Sequence, residues 1–194
     1  MKKIAQEDLL SLEEYARQRE AFRQKVMAHK KNRQVRLGEH ATLYFEDRLT
    51  MQYQIQEMLR AERIFEHQGI QEELDTYNPL IPDGSNLKAT FMLEYTDAGE
   101  RKAALGQLIG IEQKIWIRIG DFDKVYAIAN EDLERTTEVK TSSVHFLRFE
   151  FTPDMIRAAA EGAPIAMGIE HEHYHAEVNP LAEETRKALL ADFA

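Results

Sequence analysis

The chain has 194 residues, of which 43% are hydrophobic and 30% charged, and this balance is typical of a globular protein with one sizeable core. It contains no cysteine, which excludes disulfides, iron–sulfur clusters, thiolate zinc sites and cysteine nucleophiles. No apolar run approaches the roughly 20 residues of a membrane span and the first residues lack the apolar stretch of a secretory signal, so we expect a cytoplasmic protein without a membrane span.

The N-terminal segment predicts a basic amphipathic helix. Ser11 and Glu14 form a capping-box pattern, and apolar residues recur at helical spacing from Leu12 to about Lys30. Residues 1–37 carry a net charge of +5, whereas the remainder carries −14 of the total of −9. Basic residues can contact nucleic acid, but acidic residues are interspersed and no recognition motif is present. We therefore favour a helix whose charged face is solvated and which itself docks on the acidic body.

The elements after this helix are predicted from apolar periodicity and from the positions of Gly and Pro. In chain order they are a strand over about 35–45 with a bulge at Gly38, a helix over about 48–67, a strand over 87–95, a helix over 97–110, a hairpin over 115–129, a strand over 143–151, a helix over 153–162, a last strand over 165–175 and a C-terminal helix after Asn179-Pro180.

About six strands and five helices in an irregular order predict an α+β fold with a mixed, mostly antiparallel sheet. We expect a single domain over residues 1–194. Residues 1–31 form its basic N-terminal helix, and residues 32–194 form the α+β body.

Candidate chemistry is most concentrated in Glu170–His175, which holds three of the seven histidines. Strand periodicity places His171, His173 and His175 on one face, with neighbours about 6.5 to 7 Å apart. An i, i+2 pair can chelate one metal ion, so a metal site here requires a further ligand from elsewhere in the chain. Two other interpretations stay open: a strand that runs out into solvent, and one histidine that acts in proton transfer.

A second candidate lies on the helix predicted over 48–67. At 100° per residue Glu62 falls inside the apolar arc, with Glu66 at its margin. A buried carboxylate is costly without a partner, so Glu62 requires an Arg, a His, a cation or a proton. One interpretation is a buried ion pair with Arg48 or Arg148. The other is that Glu62 or Glu66 faces the histidines as a metal ligand or a general base.

The leading hypothesis joins these candidates in one metal site. His145 lies on the apolar face of its predicted strand, where it is either a satisfied core residue or the ligand that completes the site. In the second case His171, His145 and one of Glu62 or Glu66 bind a divalent metal such as Fe, Zn or Mn, with His173 as an extra ligand. The protein is then a small metal-binding or redox-accessory protein.

Two hypotheses of other classes stay open. A metal-free enzyme would use Glu62 with Arg60 or Arg63 as a buried site for a small anionic substrate. A non-catalytic interaction module would dock a redox enzyme, or a second copy of the chain as a homo-oligomer, through its basic N-terminal helix. The common phosphate-loop, dinucleotide, nucleophile-elbow and zincin motifs are absent, so those classes lose their usual support.

Four segments of the chain are distinctive when taken together. They are Leu9–Tyr15, Gln54–Arg63, Asn78–Thr90 and Lys140–Phe149. They resemble a bacterial family catalogued as domain of unknown function 3501, and the similarity runs along almost the whole chain. The activity of that family is unassigned, so the resemblance implies no catalytic residues.

The resemblance does imply a setting. Genes of this family often lie beside those of a rubrerythrin and an iron–sulfur oxidoreductase, which implies a redox or peroxide-stress role with one of these as partner. It also implies an acid-His-Pro pattern in the last strand. Glu170-His171 fits that pattern, whereas Glu172 stands where proline is expected. His171 is therefore a better candidate ligand than His173 or His175.

Overall fold

The computed structural model describes residues 2–193. The helices are α1 Leu12–Lys30, α2 Arg48–Glu62, α3 His67–Tyr77, α4 Ala98–Gln107, α5 Pro153–Ala160 and α6 Glu183–Leu190. The strands are β1 Gln34–Leu37, β2 Ala41–Glu46, β3 Asn86–Leu93, β4 Ile115–Ile119, β5 Val125–Tyr126, β6 Ile128–Ala129, β7 Val144–Glu150, β8 Ile165–His171 and β9 Tyr174–Val178.

The strands form two antiparallel sheets. The large sheet has the order β1-β2-β3-β7-β6, and the small sheet has the order β5-β4-β8-β9. Apolar residues of both sheets form one core between them. The predicted α+β class is confirmed, but the single mixed sheet is wrong: the strands form two sheets with only antiparallel pairs. The segment 125–129 divides between them, since β5 pairs with β4 and β6 pairs with β7.

Two predicted strands are hairpins. The segment predicted over 35–45 reverses at Gly38, whose φ of +78° suits glycine, so it gives β1 and β2 rather than one bulged strand. The segment predicted over 165–175 reverses between His171 and Tyr174, which are paired across β8 and β9. Alternation alone does not distinguish a long strand from two short strands joined by a tight turn.

The alternation in β2 determines which of its side chains meet the core. Ala41, Leu43 and Phe45 are buried between the sheets. Tyr44 and Glu46 therefore lie on the opposite, outer face of the large sheet. Asp47 follows directly and caps α2, since its Oδ1 accepts a hydrogen bond from the Thr50 amide at 2.9 Å.

A second apolar cluster joins the N-terminal helices. Helix α1 has its predicted bounds and its predicted Ser11 cap. It contacts α2 through buried Tyr15 and through an ion pair in which Arg19 Nε lies 2.8 Å from Glu57 Oε1. Helix α2 ends earlier than predicted because Arg63 adopts φ +56°, and α3, which the sequence did not predict, follows it.

The last helix also differs from its prediction. Its first residue is Glu183, and its N-cap is Ala182 rather than Asn179. Across residues 2–193, none of the helices combines the length and the apolar character needed to cross a membrane.

Candidate functional site

The predicted glutamate ligands lie in solvent. Glu62 ends α2 and Glu66 precedes α3, and both are exposed. Residues 60–63 are all exposed, so the last turn of α2 extends beyond the elements that pack on this helix. The prediction that Glu62 is buried is therefore wrong. Arg48 pairs instead with Asp8 at 2.8 Å.

The predicted Glu/Arg site is likewise not buried. Arg60 and Arg63 share the exposed end of α2 with Glu62. Arg148, the other arginine considered for Glu62, pairs with Glu131 at 2.8 Å. A small anion bound by these residues would remain in water, where such contacts are weak.

Of the three clustered histidines, only His171 is buried. Its Nε2 donates to the Ile109 carbonyl oxygen at 3.0 Å, and its Nδ1 accepts from the His173 amide at 3.2 Å. Both ring nitrogens therefore have hydrogen-bond partners. The prediction that His171, His173 and His175 share a strand face is wrong, because the chain reverses between His171 and Tyr174.

His145 belongs to a buried polar network. It is 0% exposed, and its Nδ1 accepts from Asn130 Nδ2 at 2.9 Å. Its Nε2 lies 3.0 Å from the Ser142 carbonyl oxygen and 2.9 Å from Thr141 Oγ1. Burial lowers the pKa of His145, although the Glu112 carboxylate opposes this shift. These contacts are those of a satisfied core histidine.

Glu112 connects this network to an acidic cleft. Its carboxylate accepts hydrogen bonds from Thr136 Oγ1 at 2.7 Å and from Thr141 Oγ1 at 3.4 Å, and its Oε2 lies 3.9 Å from His145 Nε2. The cleft has a volume of about 480 Å³, and Glu131 also lines it. The buried polar groups of this network are satisfied by one another.

The predicted metal ligands do not converge. Within residues 2–193, no group of three or more His, Asp or Glu side chains is arranged to hold a metal ion. His145, His171, His173, Glu62 and Glu66 thus form no common cluster in the part of the chain that the structure describes.

A larger opening lies on the outer face of the large sheet, beneath the N-terminal helices. We call it the helix–sheet groove, and its volume is about 770 Å³. Met27 of α1, Met51 of α2, Met92 of β3 and Phe146 of β7 are among the apolar residues that line it. The groove exists because α1–α3 cover this face without filling it.

Glu46 is the acidic residue of the helix–sheet groove, and it is 6% exposed. Its Oε1 accepts a hydrogen bond from Thr90 Oγ1 at 2.8 Å. Its Oε2 is buried and has no hydrogen-bond partner among residues 2–193. Lys88 is its direct neighbour on β3, but the Lys88 ammonium donates to the Pro79 carbonyl oxygen instead.

Sequence reasoning did not identify Glu46 as a candidate. The signal was present, because the alternation of Ala41, Leu43 and Phe45 assigns Tyr44 and Glu46 to the other sheet face. The sequence did not show that helices cover this second face, so a buried glutamate there was not expected.

The fold and the site define an α+β protein with two antiparallel sheets and a groove between the larger sheet and a helical layer. The chain belongs to the family described as "Protein of unknown function (DUF3501)", whose model matches residues 3–193. A crystal structure from Burkholderia pseudomallei K96243, described as a novel protein of unknown function, is similar to it with 47% identity, a TM-score of 0.94 and coverage of 100% of both chains. Comparison with curated proteins gives no match.

Proposed function

We propose that the protein binds a small organic ammonium ion with an apolar body in the helix–sheet groove. The observation that supports this proposal is the carboxylate of Glu46, which is buried while its Oε2 lacks a partner in residues 2–193. An ionised carboxylate accepts several hydrogen bonds, and Thr90 supplies one of them to Oε1. The other oxygen remains to accept a donor from a ligand.

The energetics favour a cationic donor. Leaving a buried acceptor unsatisfied costs about 1 to 3 kcal/mol, and more when the group is charged. Glu46 forms no ion pair with a described residue: Lys30 and Lys31 line the same groove, but their ammonium groups are not within 4.0 Å of its carboxylate. An ammonium ion supplies both the hydrogen bond and the opposite charge, and such bonds contribute about 1.5 to 3 kcal/mol.

The walls of the groove suit an ammonium ion that carries an apolar body. Tyr44, Tyr77 and Phe146 line it, and aromatic faces attract organic cations. Methionine side chains adapt to ligands of different shape, and Met27 and Met51 line the same groove. The chemistry therefore suits an alkyl or arylalkyl amine better than a free metal ion.

Calorimetric titration of three eight-carbon probes tests the proposal. Octylamine should bind, whereas octanol and octanoate should bind at least about 10-fold more weakly, because only the amine satisfies the charge of Glu46. Glu46→Gln should lower the affinity for octylamine by about 10- to 150-fold, which corresponds to the loss of one charge-assisted hydrogen bond.

Glu94→Gln is the matched control. Glu94 lies just beyond β3, and its two oxygens accept hydrogen bonds from Thr42 Oγ1 at 2.7 Å and from Tyr44 Oη at 2.9 Å. The amide oxygen of glutamine still offers Tyr44 Oη an acceptor, so this variant removes one nearby negative charge while Tyr44 keeps a partner, and octylamine binding should be unchanged. Equal binding of all three probes, or equal losses in both variants, would refute the proposal. Absence of any binding would refute it as well.

The sequence-based hypotheses about metals and partners stay predictions. They comprise the metal-binding or redox-accessory role, the rubrerythrin or iron–sulfur oxidoreductase partner, and the cytoplasmic location. Analysis of Fe, Zn and Mn in protein purified without a histidine tag tests the metal hypothesis. A protein that is empty and gains no stability from these ions would overturn it.

A further inference from the structure

A second opening, which we call the side groove, adjoins the helix–sheet groove. The side groove has a volume of about 460 Å³ and shares Tyr77, Leu80 and Phe146 with the helix–sheet groove. Lys88 lines the side groove, whereas Glu46 lines the helix–sheet groove. Lys30 and Lys31 also line the first opening, and Asp75, Glu131 and Asp132 also line the second. Glu46 and Lys88 therefore lie in two adjacent openings that share three apolar or aromatic residues.

Lys88 has no acidic partner. Lys88 is half-buried as a residue, its ammonium donates to the Pro79 carbonyl oxygen, and no carboxylate of residues 2–193 lies within 4.0 Å of this ammonium. The arginines of the side groove differ in this respect. Arg135 lies 2.6 Å from Asp132, and Arg148 lies 2.8 Å from Glu131. Lys88 is thus the cation of the side groove that lacks an anion.

The surroundings of Lys88 disfavour its charged form, so a bound anion would stabilise it. Burial lowers the pKa of Lys88, and the nearby charge of Lys3 lowers it further. Lys3 also donates to a backbone carbonyl, that of Asn78, at 2.5 Å. Asp83 and Glu131 act in the opposite direction on the pKa, but neither forms an ion pair with Lys88.

Glu46 and Lys88 could in principle neutralise each other. They are direct partners in the β2–β3 register, and directly opposed side chains lie on the same sheet face. Their side chains diverge, however, because Glu46 reaches Thr90 and Lys88 reaches Pro79. Each of the two side chains therefore lines its own groove without an oppositely charged partner.

We infer that the ligand is a zwitterion whose ammonium binds Glu46 and whose acid group binds Lys88 across an apolar spacer. This inference rests on the proposed function, and it adds a second charged group to the ligand. A linear ω-amino acid is the simplest compound with this chemistry. Its apolar spacer would pack against Tyr77, Leu80 and Phe146, which line both openings.

The test compares 8-aminooctanoate with octylamine, which has the same chain length, by calorimetric titration. The amino acid should bind wild-type protein about 5- to 10-fold more tightly, the gain expected of one partly buried ion pair. In Lys88→Met that advantage should disappear, while octylamine should bind at least as tightly as to wild type. The 6-carbon and 12-carbon ω-amino acids then measure which spacer fits.

Lys102→Met is the matched control, because Lys102 is an exposed lysine of α4. It should retain the full advantage of the amino acid. If Lys88→Met does not fold, Lys88→Gln removes the same charge with a polar side chain and replaces it in the test.

The outcomes separate the two proposals. If octylamine binds through Glu46 but 8-aminooctanoate gains nothing, the zwitterion inference is wrong and the proposed function stands. An advantage that survives in Lys88→Met would also overturn the inference. If neither compound binds, the proposed function itself fails.

Discussion

Glu46→Gln should make the ligand-free protein more stable. The carboxylate of Glu46 is 6% exposed, keeps one hydrogen bond to Thr90 at 2.8 Å, and leaves Oε2 without a partner among residues 2–193. Glutamine preserves the acceptor for Thr90 and removes the buried charge. The expected gain is about 1 kcal/mol, since an unpaired buried charge is more costly than an unpaired neutral amide.

Urea unfolding at pH 7 measures this gain in the free energy of unfolding, and a thermal melt should rise by about 2 to 4 °C per kcal/mol in a protein of this size. Glu94→Gln is again the control, and it should be neutral or destabilising because both oxygens of Glu94 accept hydrogen bonds. If Glu46→Gln lowers the free energy of unfolding by about 1 kcal/mol or more, Glu46 stabilises the fold and is not an open ligand site. A gain in stability with a loss of amine binding is the combination expected of a functional residue.

Three further predictions concern stability. Burial raises the pKa of Asp192 to about 6, so the contribution of this group to the free energy of unfolding is complete below the ordinary pKa of 3.8 and is lost as pH rises through about 6. Asp192→Asn should therefore flatten the profile of urea-measured stability between pH 4 and 7 by up to about 3 kcal/mol, and an unchanged profile would contradict this. Burial lowers the pKa of His145, so the contribution of the neutral ring to the free energy of unfolding is complete above the ordinary pKa of 6.5 and is lost as pH falls. The His145→Gln variant should therefore lose less stability than wild type between pH 6.5 and about pH 5, and an equal loss would argue against a buried neutral histidine. A Cβ at Gly168 would lie 2.5 Å from Trp116 Cζ2, so Gly168→Ala should lower the free energy of unfolding by about 1 to 3 kcal/mol, as measured by thermal melts. The control is Gly106→Ala in α4, where the nearest atom to the added Cβ is 3.6 Å away and no loss of stability is expected. Equal effects of the two variants would show that close packing at Gly168 is not the cause.

Local sequence signals predicted the elements whose limits are determined by neighbouring residues. The Ser11 cap and the following apolar stripe gave both ends of α1, and Thr152-Pro153 gave the start of α5. The hydroxyl of Thr152 does accept from the Met155 amide, at 3.3 Å. These signals lie within a few residues of the boundary, so they can be identified without knowledge of the tertiary structure.

Chain reversals were the main source of error. Apolar alternation continues on both sides of Gly38, so one strand was predicted where β1 and β2 form a hairpin. The same error placed His171 and His175 on one strand, although β8 ends at His171 and His175 belongs to β9. Helix α2 ends through the left-handed conformation of Arg63, which the residue type itself does not favour. The sequence therefore did not predict this helix end.

The candidate site depends on packing between distant segments. Glu46 could be assigned to the outer sheet face from alternation alone, but its burial depends on helices that cover that face, including Met27 of α1 and Met51 of α2. His145 was correctly considered as a satisfied core residue, yet its partners Asn130 and Thr141 could not be chosen from the sequence. Contacts of this kind require the three-dimensional structure.

The most direct measurement of the central claim is a crystal structure of the protein with octylamine. We predict that the amine nitrogen lies about 2.7 to 2.9 Å from Glu46 Oε2, with the alkyl chain along the helix–sheet groove. An amine bound instead in the acidic cleft beside Glu112, or a groove that holds only ordered water at Glu46, would contradict the claim.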